Sequence, residues 1–403
     1  MFIRVLAILA CCSWPLGFAS DASHAHEVDQ YSPPVGQSLI DLGDHWNRLV
    51  YRVIQDGVQQ ANQGIEAAKN SWVPDPGGSR LAKSQSPSAL AKCVRAQLPS
   101  AMALIENMEH KIAATDARDV ASGQLVAYRP AATESIYLPV TQLRDWRYWN
   151  RLVYMRSSTI KVHGHYFGTD KIGHFFAMGY YYYNAYQAAR LMGHSHQEGL
   201  QKANTICGWI TENSFLGMTS TAIYSNADMA ANYLGLKFYL HLTQPVRIAG
   251  RMEPALVVRA GEYWKIRDEL NEKSPLFAKY ISAHWDEVLN PCHLEESFRE
   301  HARKEIYARR EVLLAWYAGR DARRRTKEYF DNILLYTRTY YGEDYGHSGT
   351  AAHQLGIGAI CFEPNAEPSL AIVRGNRDRI SWKKFFDQGH RIWWMPNEAV
   401  SED

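Results

Sequence analysis

The sequence predicts a mainly α-helical fold, an irregular multi-helix bundle with long loops and at most a few short strands. Three observations carry this. Leu39, Ile40, Leu42, Trp46, Leu49, Val50, Val53, Ile54 and Val58 form a broad apolar stripe at helical spacing. The stretch 143–243 divides into segments of helical length and pattern. The last third repeats that pattern with a high density of charge.

The chain opens with Arg4, an apolar run from Val5 to Leu16, and small residues at Ala19, Ser20, Ala22 and Ala25. That order matches a secretory signal, and the run is far too short to cross a bilayer about 30 Å thick. Residues 1–25 are therefore expected to be a removed signal peptide and the chain to be exported to the periplasm. Ile8-Leu9-Ala10-Cys11 offers the rival of an outer-membrane lipoprotein acylated at Cys11. The remainder is read as an N-terminal helical region (26–142), a central helical core (143–243) and a C-terminal helical region with an irregular tail (244–403).

Composition is ordinary for a globular chain: 46% hydrophobic, 21% charged and a net charge of +2. Nothing basic enough for nucleic acid stands out, since Arg323-Arg324-Arg325 lies among acidic residues. The 24 Tyr and 12 Trp suit a core first, and lipid headgroups or carbohydrate second. Cys93, Cys207, Cys292 and Cys361 follow the signal and form no CxxC. They fit either buried thiols or disulfides, with Cys292–Cys361 the first pairing to test.

In order, helices are expected over 37–70, 89–114, 143–156, 169–192, 196–213, 225–242, 258–288 and 294–345. The segment 73–88 reads as a Pro/Gly/Ser-rich loop. Short strands are expected near 136–140 and 369–374.

The chemistry concentrates in the central region. Asp170 and His174 stand four apart on one helical face, above Ala177, Tyr181, Ala185, Ala188 and Met192. Asp228 and Asn232 repeat the spacing, with Ala231, Gly235 and Tyr239 in their sector. Gly235 would admit another helix closely. Two helices each carrying a polar pair predict one shared polar pocket. The structural reading is strong too: Asp170 suits a helix N-terminus, and Ser225-x-x-Asp228 is a capping box. On a regular helix Glu212 points away from the apolar stripe of Ala203, Ile206, Cys207 and Ile210. His163-x-His165 is a candidate pair of ligands for a divalent metal if its backbone is extended, and His194-x-His196 is a second.

These residues resemble the core of the VanZ-like proteins and of YfiM-type envelope lipoproteins. The match is Gly168-Thr169-Asp170-Lys171-Ile172-Gly173-His174-Phe175, then Glu212, then Ser225-x-x-Asp228-x-x-x-Asn232-x-x-Gly235. It covers about 70 of the 403 residues. VanZ-like proteins span the membrane several times, whereas Asn184, Gln187 and Arg190 interrupt the apolar run here. The resemblance implies a bacterial cell-envelope location and adds Lys171 to the site, where it and Asn232 are the candidate cofactor-binding residues.

Two functions from different classes follow. One is a helical scaffold or binding module near envelope lipid or peptidoglycan. The other is a hydrolase or transferase on an envelope lipid or glycan, with His174 as general base, Asp170 orienting it, and Glu212 and Asp228 completing the site. Convergence of these groups on an open pocket favours the enzyme. Dispersal, or closure by Tyr181 and Met178, favours the scaffold.

Overall fold

The computed structural model describes residues 26–99, 124–137, 155–210, 212, 217, 223–294, 296–320, 326–339 and 356–363. Its helices are α1 (Gly43–Lys69), α2 (Ser79–Ser84), α3 (Pro87–Ala96), α4 (Asp170–Gly173), α5 (Gly179–Leu191), α6 (His196–Ile210), α7 (Asn226–His241), α8 (Glu296–Ala308), α9 (Arg310–Ala318), α10 (Lys327–Thr339) and α11 (Ile357–Phe362). One π-helical turn, His174–Met178, joins α4 to α5. The β-structure described is confined to two-stranded pairs, so the fold is mainly α with short strands, as the sequence predicts.

Helix α1 buries Trp46, Val50, Val53, Ile54, Val58, Ala61 and Ile65 along the stripe the periodicity shows. It starts later than expected because Ser38–Leu39 pairs with Gln124–Leu125. Asp41 then accepts from the Gly43 N–H at 2.9 Å. Helix α3 begins with Ser86 accepting from the Ala89 N–H and Pro87 just inside, a standard N-terminus. It ends at Ala96, shorter than expected, and 100–123 lies outside the described residues. The expected loop 73–88 contains α2, which buries nothing.

The largest difference lies at 258–288, expected as helix. Val257–Ala260 and Tyr263–Ile266 instead form an antiparallel hairpin in which Ala260 faces Tyr263 across Gly261–Glu262. Gly261 takes φ +64°, which a two-residue hairpin turn favours glycine to supply. Beyond it come single 3-10 turns at Ala278–Tyr280 and Ala283–Trp285. The expected helix 143–156 lies almost wholly outside the described residues, and Met155–Ser157 is a strand parallel to His26–Val28. Near 136–140, Ile136 and Tyr137 form a turn; 138–140 and the expected strand 369–374 lie outside the described residues. The long helix 294–345 is broken into α8, α9 and α10.

Two apolar cores result. The first gathers Trp46, Ile54, Phe175, Phe176, Phe238 and Trp285 with their neighbours. The second gathers Tyr31, Ile136, Ile223, Val288, Leu313 and Ile360. The chain crosses between them at 285–288, where Trp285 belongs to the first and Val288 to the second. No helix among the described residues is long and apolar enough to cross a membrane. The four cysteines after residue 25 are free thiols, so the expected Cys292–Cys361 bridge is not formed. Both of those residues sit in the second core, where small apolar side chains pack well.

Candidate functional site

Between the two cores lies a buried charge cluster. Helix α4 begins at Asp170, so Asp170 and Lys171 enter the protein at its first turn, where the backbone is tightly packed. A Cβ on Gly168 would stand 2.1 Å from Asp170 Oδ1 and 2.6 Å from Val28 Cβ. Lys171 is wholly buried and holds three carboxylates: Asp170 Oδ2 at 2.7 Å, Asp228 Oδ1 at 2.7 Å and Glu287 Oε1 at 2.6 Å. Glu27, from the first strand, completes a ring of four carboxylates. Burial alone would push the ammonium down, but Asp170, Asp228, Glu287 and Glu27 outweigh it and hold Lys171 well above its ordinary value.

The same burial raises the acids. Glu287 is pushed up to about 7 by burial, against the pull of Lys171. Glu27 rises well above the usual range through burial and then through Asp228. Asp170 rises through burial, with Lys171 opposing. Four carboxylates surround one ammonium, so the cluster near neutral pH keeps protons that exposed acids would have lost.

Helix α7 supplies the second side. Ser225 caps it, its Oγ accepting from the Asp228 N–H at 3.1 Å. In a reciprocal capping box the acid would reach back to the cap's own N–H. Here Asp228 turns inward to Lys171, and Glu212 Oε2 takes the Ser225 N–H at 3.3 Å instead. The Ser225 hydroxyl also donates to Glu287 Oε1 at 3.0 Å. Asn232, one turn on, accepts from His174 Nδ1 at 2.9 Å. His174 Nε2 then faces Asp228 Oδ2 at 3.4 Å.

The helices can approach this closely because Gly179 meets Gly235. A Cβ on Gly235 would stand 1.9 Å from the Phe175 carbonyl oxygen. Tyr239 donates to the Phe176 carbonyl at 2.7 Å beside that crossing. The π-helical turn begins at His174 itself. Such turns recur at functional sites.

The predicted shared cluster of Asp170, His174, Asp228 and Asn232 is therefore present, with Lys171 bridging the two aspartates. Three roles change. The residue that fixes the His174 ring is Asn232, whereas Asp170 spends its Oδ2 on Lys171. Glu212 points inward and is fully buried. It lies past the end of α6 at Ile210, so the helical wheel does not set its direction. Lys171 is committed to carboxylates within the protein. Met178 is buried and Tyr181 partly so. Access to the cluster falls to His174, whose side chain is 12% exposed.

The histidine pairs stand elsewhere. His163 (φ 49°) and Gly164 (φ 77°) form the turn of the hairpin Thr159–Val162/His165–Gly168. The chain reverses between His163 and His165, so the pair lacks the extended backbone that would aim both rings at one ion. Gly43 packs against the His163 ring, where a Cβ would stand 2.5 Å from Nδ1. His194 contacts Glu198 at 3.9 Å, and His196 Nδ1 meets the Tyr186 hydroxyl at 2.8 Å. Neither pair joins a group of three possible metal ligands among the described residues; His174, Glu212 and Asp228 do.

Glu27 and Glu287 were not singled out by sequence. Both sit outside long helices, so no periodicity marks them. The signal for Glu287 was its setting, one of two adjacent carboxylates flanked by apolar residues in Trp285-Asp286-Glu287-Val288-Leu289. The chain as a whole matches no protein-family model, no curated protein and no solved structure.

Proposed function

We propose that the protein is an exported cell-envelope enzyme, a hydrolase or transferase acting on an envelope lipid or glycan at the His174–Glu212–Asp228 constellation. The observation that carries this reading is the convergence of three ligand or acid–base atoms within 4.8 Å of one another, with one of the three residues reaching solvent. A hydrogen bond to Asn232 fixes the His174 ring and leaves Nε2 as the base. Proton transfer by a positioned imidazole contributes about 10²–10⁴-fold to such reactions. Buried acids with displaced ionisation beside a partly open histidine are the arrangement expected of acid–base sites. The N-terminal apolar segment supports export, and the resemblance to VanZ-like and YfiM-type cores supports the envelope.

The test is turnover by purified protein on chromogenic esters, phosphodiesters and glycosides, then on envelope lipids and peptidoglycan fragments. His174→Gln should lower any activity at least about 100-fold while the melting temperature holds. Equal activity of wild type and variant would remove the reading. One observation favours the scaffold alternative: Lys171 and its carboxylates are buried completely, as suits an ionic clamp between two cores. Absence of turnover throughout, with large destabilisation by His174→Ala, would establish that alternative.

A further inference from the structure

The lone pairs around His174 do not balance. Asn232 turns its Nδ2 toward the Tyr182 hydroxyl, 3.4 Å away, which leaves Oδ1 facing the imidazole at 2.9 Å. The ring must therefore carry its proton on Nδ1. In the neutral ring Nε2 then presents a lone pair to Asp228 Oδ2, itself an acceptor, at 3.4 Å. Across the same gap lies Glu212, 0% exposed, whose Oε1 has no hydrogen-bond partner among the described residues. With both carboxylates ionised, three acceptors thus face one another with no donor between them among the described residues. A buried acceptor left in that state costs about 1–3 kcal/mol.

We propose that a divalent metal ion of the zinc class binds between His174 Nε2, Asp228 Oδ2 and Glu212 Oε1. Two donors each about 2.0–2.1 Å from a tetrahedral zinc stand about 3.4 Å apart, the His174–Asp228 spacing, whereas a charge-assisted hydrogen bond would close to about 2.8 Å. Imidazole with two carboxylates is a donor set that zinc accepts. Three protein ligands leave a fourth position for water, as in catalytic rather than structural sites. Asn232 holds the non-ligating nitrogen in the way ligating histidines are usually held. The neighbouring ring of Glu27, Asp170, Asp228 and Glu287 is a poor rival, because Lys171 Nζ already occupies its centre. Asp228 bridges the two cations, one oxygen to each.

This inference rests on the constellation used for the proposed function and changes one role within it. A metal takes the Nε2 lone pair that the metal-free ring would use as base, and supplies an activated water in exchange.

The test reads binding without turnover. Full-length mature protein is stripped with chelator, dialysed, and titrated with zinc chloride by calorimetry, with bound metal counted by mass spectrometry. The expected result is one zinc per chain at micromolar affinity or tighter. Glu212→Gln and His174→Gln should each weaken it at least 10-fold, with the fold checked by circular dichroism. If either variant fails to fold, cobalt titration of wild type decides: intense visible bands show a four-coordinate site, and nitrogen-15 spectra should show a His174 Nε2 shift with the Nδ1 proton retained. Folded wild type that binds less than a tenth of an equivalent, or variants that bind as wild type does, would overturn the proposal. So would cobalt without those bands or an unmoved His174. Zinc bound with no turnover removes the enzyme and keeps the site. Turnover that survives complete chelation removes the metal and keeps the enzyme.

Discussion

Gly179 and Gly235 lie backbone to backbone where α5 crosses α7: a Cβ on Gly179 would stand 2.4 Å from the Gly235 Cα. No rotamer can relieve that overlap, because the obstacle is main chain. Gly235→Ala should cost about 3 kcal/mol or more, or prevent folding. Gly64 provides the contrast. It lies in α1, exposed, with nothing within 4 Å of an added Cβ. Gly64→Ala should stabilise by about 0.5–1 kcal/mol through helix propensity alone. Urea denaturation of both variants checks the pair, and similar midpoints would contradict the helix crossing.

Lys171→Met should be among the most damaging substitutions in the chain. It removes the ammonium that holds Asp170, Asp228 and Glu287 while leaving the acids buried, a loss of about 3–5 kcal/mol. Soluble yield and denaturant midpoint measure it. A Lys171→Met protein as stable as wild type would show that the acids carry their own protons and need no cation.

His174→Ala should destabilise by about 1–3 kcal/mol, since Asn232 Oδ1 then loses its donor. His174→Gln can restore that hydrogen bond and should recover most of the loss. Thermal melts of the two side by side are the measurement. Equal melting temperatures for His174→Ala and wild type would show that the ring is not held as described.

Acid sensitivity should trace partly to His241. Burial and then Lys279 lower it from the usual value to about 4. Its Nε2 donates to the Pro254 carbonyl at 2.9 Å and its Nδ1 accepts from the Tyr280 hydroxyl at 2.6 Å, a pattern that the neutral ring satisfies. The folded state thus binds the proton more weakly than the unfolded chain, whose histidine titrates near 6.5. Stability from this group is present above pH 6.5 and is lost as pH falls toward 4, with about 2 kcal/mol gone by pH 5. His241→Gln should lose correspondingly less between pH 7 and 5 by denaturant titration. Identical slopes for variant and wild type would remove His241 from the acid limb.

The buried thiols should be silent in the native state. Burial pushes Cys361 up to about 12 and raises Cys292 well above the ordinary thiol. Cys93 is only half-buried and should react first with a thiol reagent. Cys292 and Cys361 should react only after denaturation, giving four thiols from the mature chain without reductant. Fewer than four would indicate a bridge.

The helical half of the site was legible because helices write their faces into the sequence. Asp170/His174 and Asp228/Asn232 each recur at four, and Gly235 lies on the same face as its pair. Glu212 was misdirected because the wheel assumes 100° per residue through position 212, whereas Glu212 lies beyond the α-helical part of α6 and has π-helical backbone. Glu27 and Glu287 come from a three-residue strand and a 3-10 exit, segments too short for any period. The hairpin at 257–266 was marked more clearly than the helical reading allowed. Val257-Val258 and Tyr263-Trp264 flank Ala260-Gly261-Glu262, and β-rich runs around a glycine turn are a hairpin signal. Charged residues between the runs hid it by imitating an amphipathic helix.

The charge cluster also sets a timetable. Gln30, three residues from Glu27, accepts from the Glu287 N–H across 257 positions of chain. Loop closures of that length must precede any ionic contact between the first strand and the 3-10 exit, and long-range closures are slow. Until the segment around Glu287 has been synthesised, Lys171 has only the carboxylates made before it and the water around it. The second apolar core draws most of its members from residues after 287, so it and the full set of carboxylates around Lys171 become available together. Interruption of the chain between 242 and 287 would keep helices α1 to α7 but remove Glu287 from Lys171 and most of the second core with it.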